Sequence, residues 1–203
     1  MALLDWITPG EGLRLQGEGI EIRPPRPSDF PEWSELRRAS QDFLQPWEPT
    51  WLEDDLTRAA WRRRLASYAR DIDLGSAYPF LVFRKRDGAL TGGITLSNIR
   101  RGVAQMGTVG YWCGAGFTRQ GLTLAAVRTL SVFAFRALAL HRLEAACLPE
   151  NTPSRRLLGQ AGFGEEGLAR AYLKINGEWR DHVLFGLVAP QPRGEGPKGQ
   201  LSI

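Results

Sequence analysis

Hydrophobic and polar positions along the chain follow two periods, which predict strands and helices in alternation. Short apolar or alternating stretches predict strands, and they lie at Ile20 to Arg23, Tyr78 to Arg84, Leu90 to Leu96, Met106 to Trp112, Leu143 to Leu148, Gly167 to Ile175 and Trp179 to Val188. Apolar residues three or four positions apart predict helices, and they lie at Asp29 to Ser40, Glu53 to Asp73, Thr123 to Leu140 and Asn151 to Ala161. The pattern predicts an α+β (mixed α/β) domain with a central twisted sheet of about seven strands and about four helices.

Turn residues predict how these strands pair. Asp87-Gly88 and Asn176-Gly177 stand between strand-like stretches, and such dipeptides are strong hairpin signals. The strands before and after the long apolar helix are instead expected to be parallel, joined by one crossover. We therefore expect a mostly antiparallel sheet with one parallel pair.

Composition divides the chain into three parts. Residues 1–18 are expected to form an irregular extension, residues 19–188 the folded domain, and residues 189–203 a flexible tail rich in proline and glycine. Within the domain, two prolines predict a loop that carries Phe43, Trp47 and Trp51. These large aromatic side chains either line a cavity or pack beneath the loop, and the sequence leaves both alternatives open.

The most informative stretch is YWCGAGFTRQGLTLAA, from Tyr111 to Ala126, in which a strand enters a glycine-broken loop that opens onto a helix. The N-terminus of a helix has unpaired N–H groups and a positive dipole end, so it attracts anions. Gly116 and Gly121 let the backbone approach a ligand, and Arg119 adds a positive charge. The stretch predicts a phosphate or pyrophosphate site.

Nucleotide motifs fit this loop poorly. A Walker A motif requires a lysine where Leu122 stands, and a dinucleotide fingerprint that starts at Gly114 requires a glycine where Arg119 stands. The acetyl-coenzyme A loop [QR]-x-x-G-x-[GA], aligned on Gly121, meets Thr118 and Thr123 at its two end positions. A glycine-rich turn without any ligand also stays open.

Composition narrows the functional classes. Two cysteines and two histidines are present, and none of them has metal-ligand spacing, so we expect no metal and two reduced thiols, Cys113 and Cys147. We find no membrane span, secretory signal or nucleic-acid motif, and therefore expect a cytoplasmic protein. The net charge of +4 suits a polyanionic ligand.

Three segments together resemble the GCN5-related N-acetyltransferases (GNAT family). YWCGAGFTRQGLTLAAV is similar to the strand, pyrophosphate loop and helix of that family. HRLEAACLPENTPSRRLLGQAGFGEEG resembles the next strand and helix, and AYLKINGEWRDHVLFGL resembles the closing hairpin of the RimJ/RimL ribosomal-protein acetyltransferases. The resemblance covers about residues 19–188 and implies the GNAT fold.

The resemblance also implies roles for individual residues. Backbone N–H groups of Arg119, Gln120, Gly121, Leu122 and Thr123 would bind the pyrophosphate of acetyl-CoA, whereas Tyr111, Trp112 and Cys113 would hold its pantetheine arm as an added strand. Asn151 would bond to that arm and Ser154 would lie near the thiol. Glu144 is implied as a base, and the alternative is an edge or outward-facing Glu144 that only pairs with Arg142 or Arg128. Glu150, Asp181 and His182 are further candidates.

Two family residues are missing, because Leu158 stands where many members have a tyrosine acid and Ala171 stands where related members have a carboxylate. For the acceptor side we expect Phe43, Trp47, Trp51 and the hairpin residue Tyr172 to bind substrate, with Glu48 or the carboxylates of residues 53–55 attracting a basic one. The implied function is that of a ribosomal-protein-alanine N-acetyltransferase, which transfers acetyl directly from acetyl-CoA to a protein N-terminal α-amine. The protein is expected to be a monomer or homodimer. A small-amine acetyltransferase and a non-catalytic acyl-CoA-binding module are the alternatives.

Overall fold

A single mixed sheet forms the centre of the molecule in the computed structural model, which describes residues 12–190. Its eight strands are arranged in the order β1-β2-β3-β4-β5-β6-β8-β7. Their bounds are β1 Leu15–Gly17, β2 Ile20–Arg23, β3 Tyr78–Arg84, β4 Leu90–Arg100, β5 Met106–Cys113, β6 Arg142–Cys147, β7 Gly164–Ile175 and β8 Glu178–Val188. Every neighbouring pair is antiparallel except β5 and β6.

The described chain has five α-helices, α1 Phe30–Ala39, α2 Gln41–Leu44, α3 Arg58–Asp73, α4 Leu122–Arg136 and α5 Thr152–Gln160. Side chains cap two of them, since Thr57 accepts from the amide of Ala60 and Asn151 accepts from the amide of Ser154. Helix α4 makes the crossover from β5 to the parallel strand β6, as the sequence predicted.

Two apolar layers cover the two faces of the sheet. The larger layer packs α4 against the sheet, and Val127, Leu130 and Leu143 in it are completely buried. The smaller layer packs α1 and α3 on the other face, with the rings of Trp33 and Trp61 4.5 Å apart. Because both faces are covered, the ends of the central strands are the places left for a ligand.

The structure corrects the predicted N-terminal part. Leu15–Gly17 lie in the stretch expected to be irregular, yet they form β1, which pairs with β2 across a tight turn at Gly19 (φ +68°). The alternation of Leu15 with polar Arg14 and Gln16 was the missed signal, and Glu21 bonds to both polar side chains. The remaining predictions for residues 1–11 and 191–203 lie outside the described residues.

Helix bounds and counts also differ from the prediction. Helix α3 begins at Arg58 instead of Glu53, because Asp55 accepts from the amide of Leu52 (2.8 Å) in a local turn that competes with helix. Helix α4 ends at Arg136 instead of Leu140. The segment expected to be a loop contains α2 and a short 3-10 helix, Gln45–Trp47. The described part thus has eight strands and five α-helices instead of seven and four.

A stacked cluster of four residues attaches the segment after α2 to the sheet. The Arg37 guanidinium lies over the rings of Trp51 (4.1 Å) and Trp112 (4.8 Å). It donates twice to the Glu48 carboxylate (2.8 and 2.7 Å), which also accepts from Trp51 Nε1 (2.8 Å). Glu48 is therefore occupied within the fold and is not free to attract a substrate.

We expect Glu48→Ala to lower the free energy of unfolding by about 1.5–3 kcal/mol, because the largely buried Arg37 loses a bidentate, charge-assisted partner. Asp54→Ala is the matched control: it removes the partner of Arg63 in an ion pair with both side chains at least half exposed (64% and 50%). The control should change stability by no more than about 0.5 kcal/mol. Urea unfolding measures both, and equal losses would contradict the structural role of Glu48.

Candidate active site

Strand β5 has an open side at its C-terminal end. Its parallel pairing with β6 extends only from Met106 to Thr108, whereas its pairing with β4 continues to Cys113. Beyond Thr108 the two parallel strands diverge, so from Val109 onward β5 has no strand partner on that side within the described chain. Such an unpaired edge accepts an extended ligand as an additional strand.

Backbone direction determines which groups line this opening. The amide of Gly114 donates to the carbonyl of Thr91 on β4 (2.8 Å). Because successive backbone groups alternate in direction along a strand, the amides of Tyr111 and Cys113 point away from β4 and into the opening. Trp112 differs in that its ring packs with the layer of α1 and α3. By the same alternation its backbone groups face Gly93 on β4, so the structure does not bring Trp112 into the opening, although it was expected to hold the pantetheine arm.

The loop after β5 is held by side chains from distant segments. The Ser40 hydroxyl, at the end of α1, accepts from the amide of Ala115 (3.0 Å). Gln120 accepts from Arg84 (2.7 Å) and donates to the carbonyl of Gly116 (3.2 Å). These contacts fix the loop before any ligand binds, although Gln120 was expected to contribute only its backbone.

The loop ends in a ready anion site at the start of α4. Gly121, the N-cap residue, has φ +74° and gives no side-chain cap, and the first turn has no acidic residue. A Cβ at Gly121 would meet open space, and the first amides of α4, from Leu122 and Thr123, are among those that a helix leaves without an internal partner. Arg119, also left-handed (φ +59°), is exposed beside them. The arrangement suits a phosphate or pyrophosphate group.

Two residues predicted as site residues meet at the other wall of the opening. The Tyr111 hydroxyl lies 2.8 Å from Ser154 Oγ, on the first turn of α5. Asn151 Oδ1 fixes that turn by accepting from the Ser154 amide (3.1 Å). Burial raises the pKa of the Tyr111 phenol above its ordinary value, although the bond to Ser154 opposes the shift. The phenol is therefore neutral at physiological pH.

Both cysteines are free thiols near this opening. Burial raises the pKa of Cys147, with the Ser154 hydroxyl lowering it in part, and burial likewise raises the pKa of Cys113, with Thr123 lowering it in part. A raised pKa leaves less thiolate at neutral pH than in an exposed cysteine. The surroundings favour packing roles over nucleophilic ones.

Glu144 is not brought to the Tyr111–Ser154 pair. It lies in the paired end of β6, and its carboxylate accepts from Arg142 Nε (3.1 Å). Side chains alternate along a strand, and Leu143 and Cys147 are the ones that enter the core around α4. Glu144 therefore points to the opposite face from Cys147 and Ser154. Its role as a base stays a prediction, and its contacts support the ion-pair alternative.

A cleft of about 440 Å³ lies next to the start of α5, between the segment after α1 and the β7–β8 hairpin. The amide of Asn176, at the tip of the hairpin, donates to the carbonyl of Glu48 (2.9 Å) and closes one end. The lining residues are Asp42, Gln45, Pro46, Trp47, Glu150, Ile175, Asn176, Glu178 and Arg180. Glu150 bonds to Arg180, and the three carboxylates outnumber the single arginine, so the cleft is acidic.

The structure separates the aromatic residues expected to bind substrate. Trp47 lines the cleft, whereas Trp51 belongs to the cluster with Arg37 and Phe43 is exposed outside the lining. Tyr172 is exposed on β7, with its ring 5.7 Å from that of buried His182.

Sequence reasoning missed Asp42, Glu178 and Arg180 in the cleft. They come from segments far apart in the chain, and no local pattern indicates that they meet. Among the carboxylates of residues 53–55, Asp54 and Asp55 form ion pairs with Arg63 and Arg64.

Between residues 12 and 190, no group of three or more His, Cys, Asp or Glu side chains is arranged to hold a metal ion. No helix in that range has the length and apolar character needed to cross a membrane.

We expect Gly121→Asp to weaken binding of acetyl-CoA, the ligand implied by the resemblance, by about tenfold or more, about 1.4 kcal/mol. A carboxylate would stand among amides oriented for phosphate, on a residue whose φ disfavours any side chain. Gly102→Asp is the control, since Gly102 is also left-handed (φ +65°) and open but precedes β5 at its opposite end. Calorimetry should find loss of binding in the first variant alone, and unchanged binding in Gly121→Asp would disprove the site.

Comparisons with known proteins agree with this geometry. Residues 20–164 match the family model described as an acetyltransferase (GNAT) domain. The chain is 34% identical to a probable N-acetyltransferase, YjcK, of Bacillus subtilis, over 87% of this chain and 97% of the relative. It is 32% identical to the [ribosomal protein uS5]-alanine N-acetyltransferase of Escherichia coli, over 88% and 92%.

A solved structure shows the same fold. The Mycobacterium smegmatis RimJ in complex with CoA-disulfide superposes with a TM-score of 0.80 at 35% identity, over 87% of this chain and 86% of that one. The family match, these relatives and the open strand edge beside an anion site lead to one conclusion: the chain belongs to the GNAT family and is an N-acetyltransferase that takes its acetyl group from acetyl-CoA.

Proposed function

We propose that this enzyme acetylates the N-terminal α-amine of a protein, with a ribosomal protein as the acceptor. The observation that carries the proposal is the open, acidic cleft beside the start of α5, bounded by the β7–β8 hairpin. Its volume of about 440 Å³ exceeds what a single amine needs and suits the first residues of a peptide. The names of the relatives, including uS5-alanine N-acetyltransferase, support the same acceptor class.

The chemistry of the acceptor favours an α-amine at this site. The reference pKa of an α-amine is near 7.7–8.0, against about 10.4 for lysine, so its neutral form is roughly 300-fold more abundant near pH 7. That difference corresponds to about 3.4 kcal/mol of deprotonation that the enzyme need not supply. Because this chain lacks two of the family's usual acid–base residues, such an acceptor suits it.

Transfer then proceeds directly within a ternary complex, without an acyl-enzyme. The open edge of β5 would bind the pantetheine arm, and the amide of Cys113 would polarise the thioester carbonyl. Positioning of the amine against that carbonyl supplies most of the acceleration. Ser154, on the first turn of α5, would stabilise the departing thiolate.

The side chain of Asn151 has a second hydrogen-bonding group besides the oxygen that caps α5. Its side-chain oxygen accepts from the Ser154 amide, and its amide nitrogen has no hydrogen bond among the described residues. That nitrogen can donate to the cofactor arm, as the resemblance implies.

A peptide panel tests the proposed acceptor. Purified enzyme and acetyl-CoA are incubated with peptides that have a free α-amine, with the same peptides blocked at the N-terminus but carrying lysine, and with small amines. We expect acetylation of the free α-amines alone. Mass spectrometry of protein N-termini in a deletion strain then identifies the natural acceptor, whereas turnover only with small amines would replace the proposal.

Trp47→Ala should raise the KM for the acceptor peptide roughly tenfold while the Kd of acetyl-CoA stays nearly constant, because Trp47 lines the cleft and not the strand opening. Trp179→Ala is the control, because Trp179 is exposed on β8 and is not part of the cleft lining. Steady-state kinetics and calorimetry give the two constants. A Trp47→Ala enzyme that only melts at a lower temperature would assign Trp47 to packing.

Ser154→Ala should lower kcat by roughly tenfold or more, with a smaller effect on acetyl-CoA binding, because its hydroxyl acts on the charge that forms at sulfur. Cys113→Ala and Cys147→Ala should keep most activity, since direct transfer needs no thiol nucleophile. Initial-rate kinetics distinguish the mechanisms. Ping-pong patterns, or an acetylated cysteine isolated without acceptor, would contradict direct transfer, and wild-type kcat in Ser154→Ala would remove that residue from the site.

A further inference from the structure

The pair formed by Tyr111 and Ser154 brings together a residue of β5 and a residue of α5, which α4 and β6 separate in the chain. Tyr111 lies on the part of β5 that has lost its β6 partner, and Ser154 lies on the first turn of α5. Their hydroxyl oxygens are 2.8 Å apart. The Tyr111 backbone faces the opening, where it would hold the pantetheine arm, but its side chain has no assigned function.

The chemistry of the two hydroxyls sets the direction of this hydrogen bond. A phenol is a stronger acid than an aliphatic alcohol, so it is the better donor of the two. With Tyr111 as donor, Ser154 Oγ accepts and keeps its own proton free. The Ser154 hydroxyl is also within reach of the Cys147 sulfur, whose pKa it lowers. A hydrogen bond donated by Ser154 toward a sulfur atom is therefore consistent with its surroundings.

Two further contacts limit the freedom of Ser154. Asn151 holds its backbone amide (3.1 Å), which fixes the first turn of α5. Tyr111 in turn is fixed by its packing against the core around α4. Because the backbone of Ser154 and the ring of Tyr111 are both held, one hydrogen bond suffices to select the rotamer of the serine hydroxyl.

We infer that the Tyr111 side chain is a positioning residue that holds the Ser154 hydroxyl as a donor to the thiolate of coenzyme A. The inference rests on the proposed role of Ser154 in acetyl transfer. When the tetrahedral adduct collapses, the C–S bond breaks and its electron pair goes to sulfur. Ser154 donates a hydrogen bond to that sulfur, and Tyr111 donates to Ser154, so the two bonds polarise each other in sequence.

No proton leaves Tyr111 in this scheme. Burial raises the pKa of the phenol, so it stays protonated and remains a donor throughout the working pH range. The proton lost by the attacking amine passes to solvent, and the released thiolate is protonated from solvent after product release. The tyrosine thus acts by orientation and polarisation, and it differs from a tyrosine acid such as the one that Leu158 replaces.

The first test measures the pKa of the thiol of bound coenzyme A, and this measurement needs no acceptor. The pKa of the coenzyme A thiol in its complex is followed by thiolate absorbance in the ultraviolet, as a difference against the complex with desulfo-coenzyme A. The thiolate absorbance of Cys113 and Cys147 occurs in both complexes and cancels in the difference. The charges near Cys147, on Arg155 and Glu165, are also the same in both. Tyr111→Phe should raise this pKa, and an unchanged pKa would overturn the inference.

The second test is a double-mutant cycle on kcat with Tyr111→Phe and Ser154→Ala. We expect Tyr111→Phe to lower kcat by roughly five- to tenfold, as for the loss of one hydrogen bond. The double variant should be no slower than Ser154→Ala alone, since Tyr111 acts through the serine. Additive losses, or a Tyr111→Phe kcat within about twofold of wild type, would overturn the inference.

Tyr78→Phe is the matched control, because Tyr78 is also partly buried against the core around α4, with its ring 5.3 Å from that of Phe133. It should change neither kcat nor the thiol pKa. If free α-amines are not acetylated but a small amine is, the proposed acceptor is wrong and the cycle uses that amine. If no amine is acetylated, the thiol titration alone decides the role of Tyr111.

Discussion

Strand β5 pairs with β4 up to Cys113 but with β6 only from Met106 to Thr108. This difference in pairing length creates the opening around which the site is arranged. A backbone edge inside a covered sheet is costly unless a partner satisfies it. The extended arm of acetyl-CoA can supply the missing partner, because it offers amide groups where β6 has diverged. The opening therefore results from the pairing of the strands themselves.

Helix α4 connects this opening to the core. Its middle residues, Ala126, Val127 and Leu130, are completely buried and hold the helix against the sheet. Its N-terminus, in contrast, begins at the left-handed Gly121 without a side-chain cap. The buried contacts stabilise the helix although the backbone amides at its start lack a side-chain cap. A phosphate group can take the place of that cap. The buried middle of α4 thus stabilises the fold, whereas its N-terminus is available to a ligand.

The acceptor side depends on contacts between segments that are distant in sequence. The cluster around Arg37 fixes the segment after α2, and the amide of Asn176 ties the β7–β8 hairpin to the carbonyl of Glu48. Together they place Trp47 opposite Glu150, one residue before the cap of α5. The acidic cleft and the Tyr111–Ser154 pair are therefore neighbours through the start of α5.

Local sequence patterns determined the strands and helices of the core, the crossover and the glycine-led start of α4, because period, turn residues and a glycine-broken helix start each act over a few residues. The patterns failed where another local turn or a distant partner determined the structure. The turn closed by Asp55 shifts the start of α3 to Arg58, and β1 forms by pairing with β2. Only the tertiary structure decided that Glu48 is held by Arg37, that Glu144 faces away from Ser154, and that Tyr111 meets Ser154. Those outcomes depend on strand register and on packing between remote segments, which no local pattern encodes.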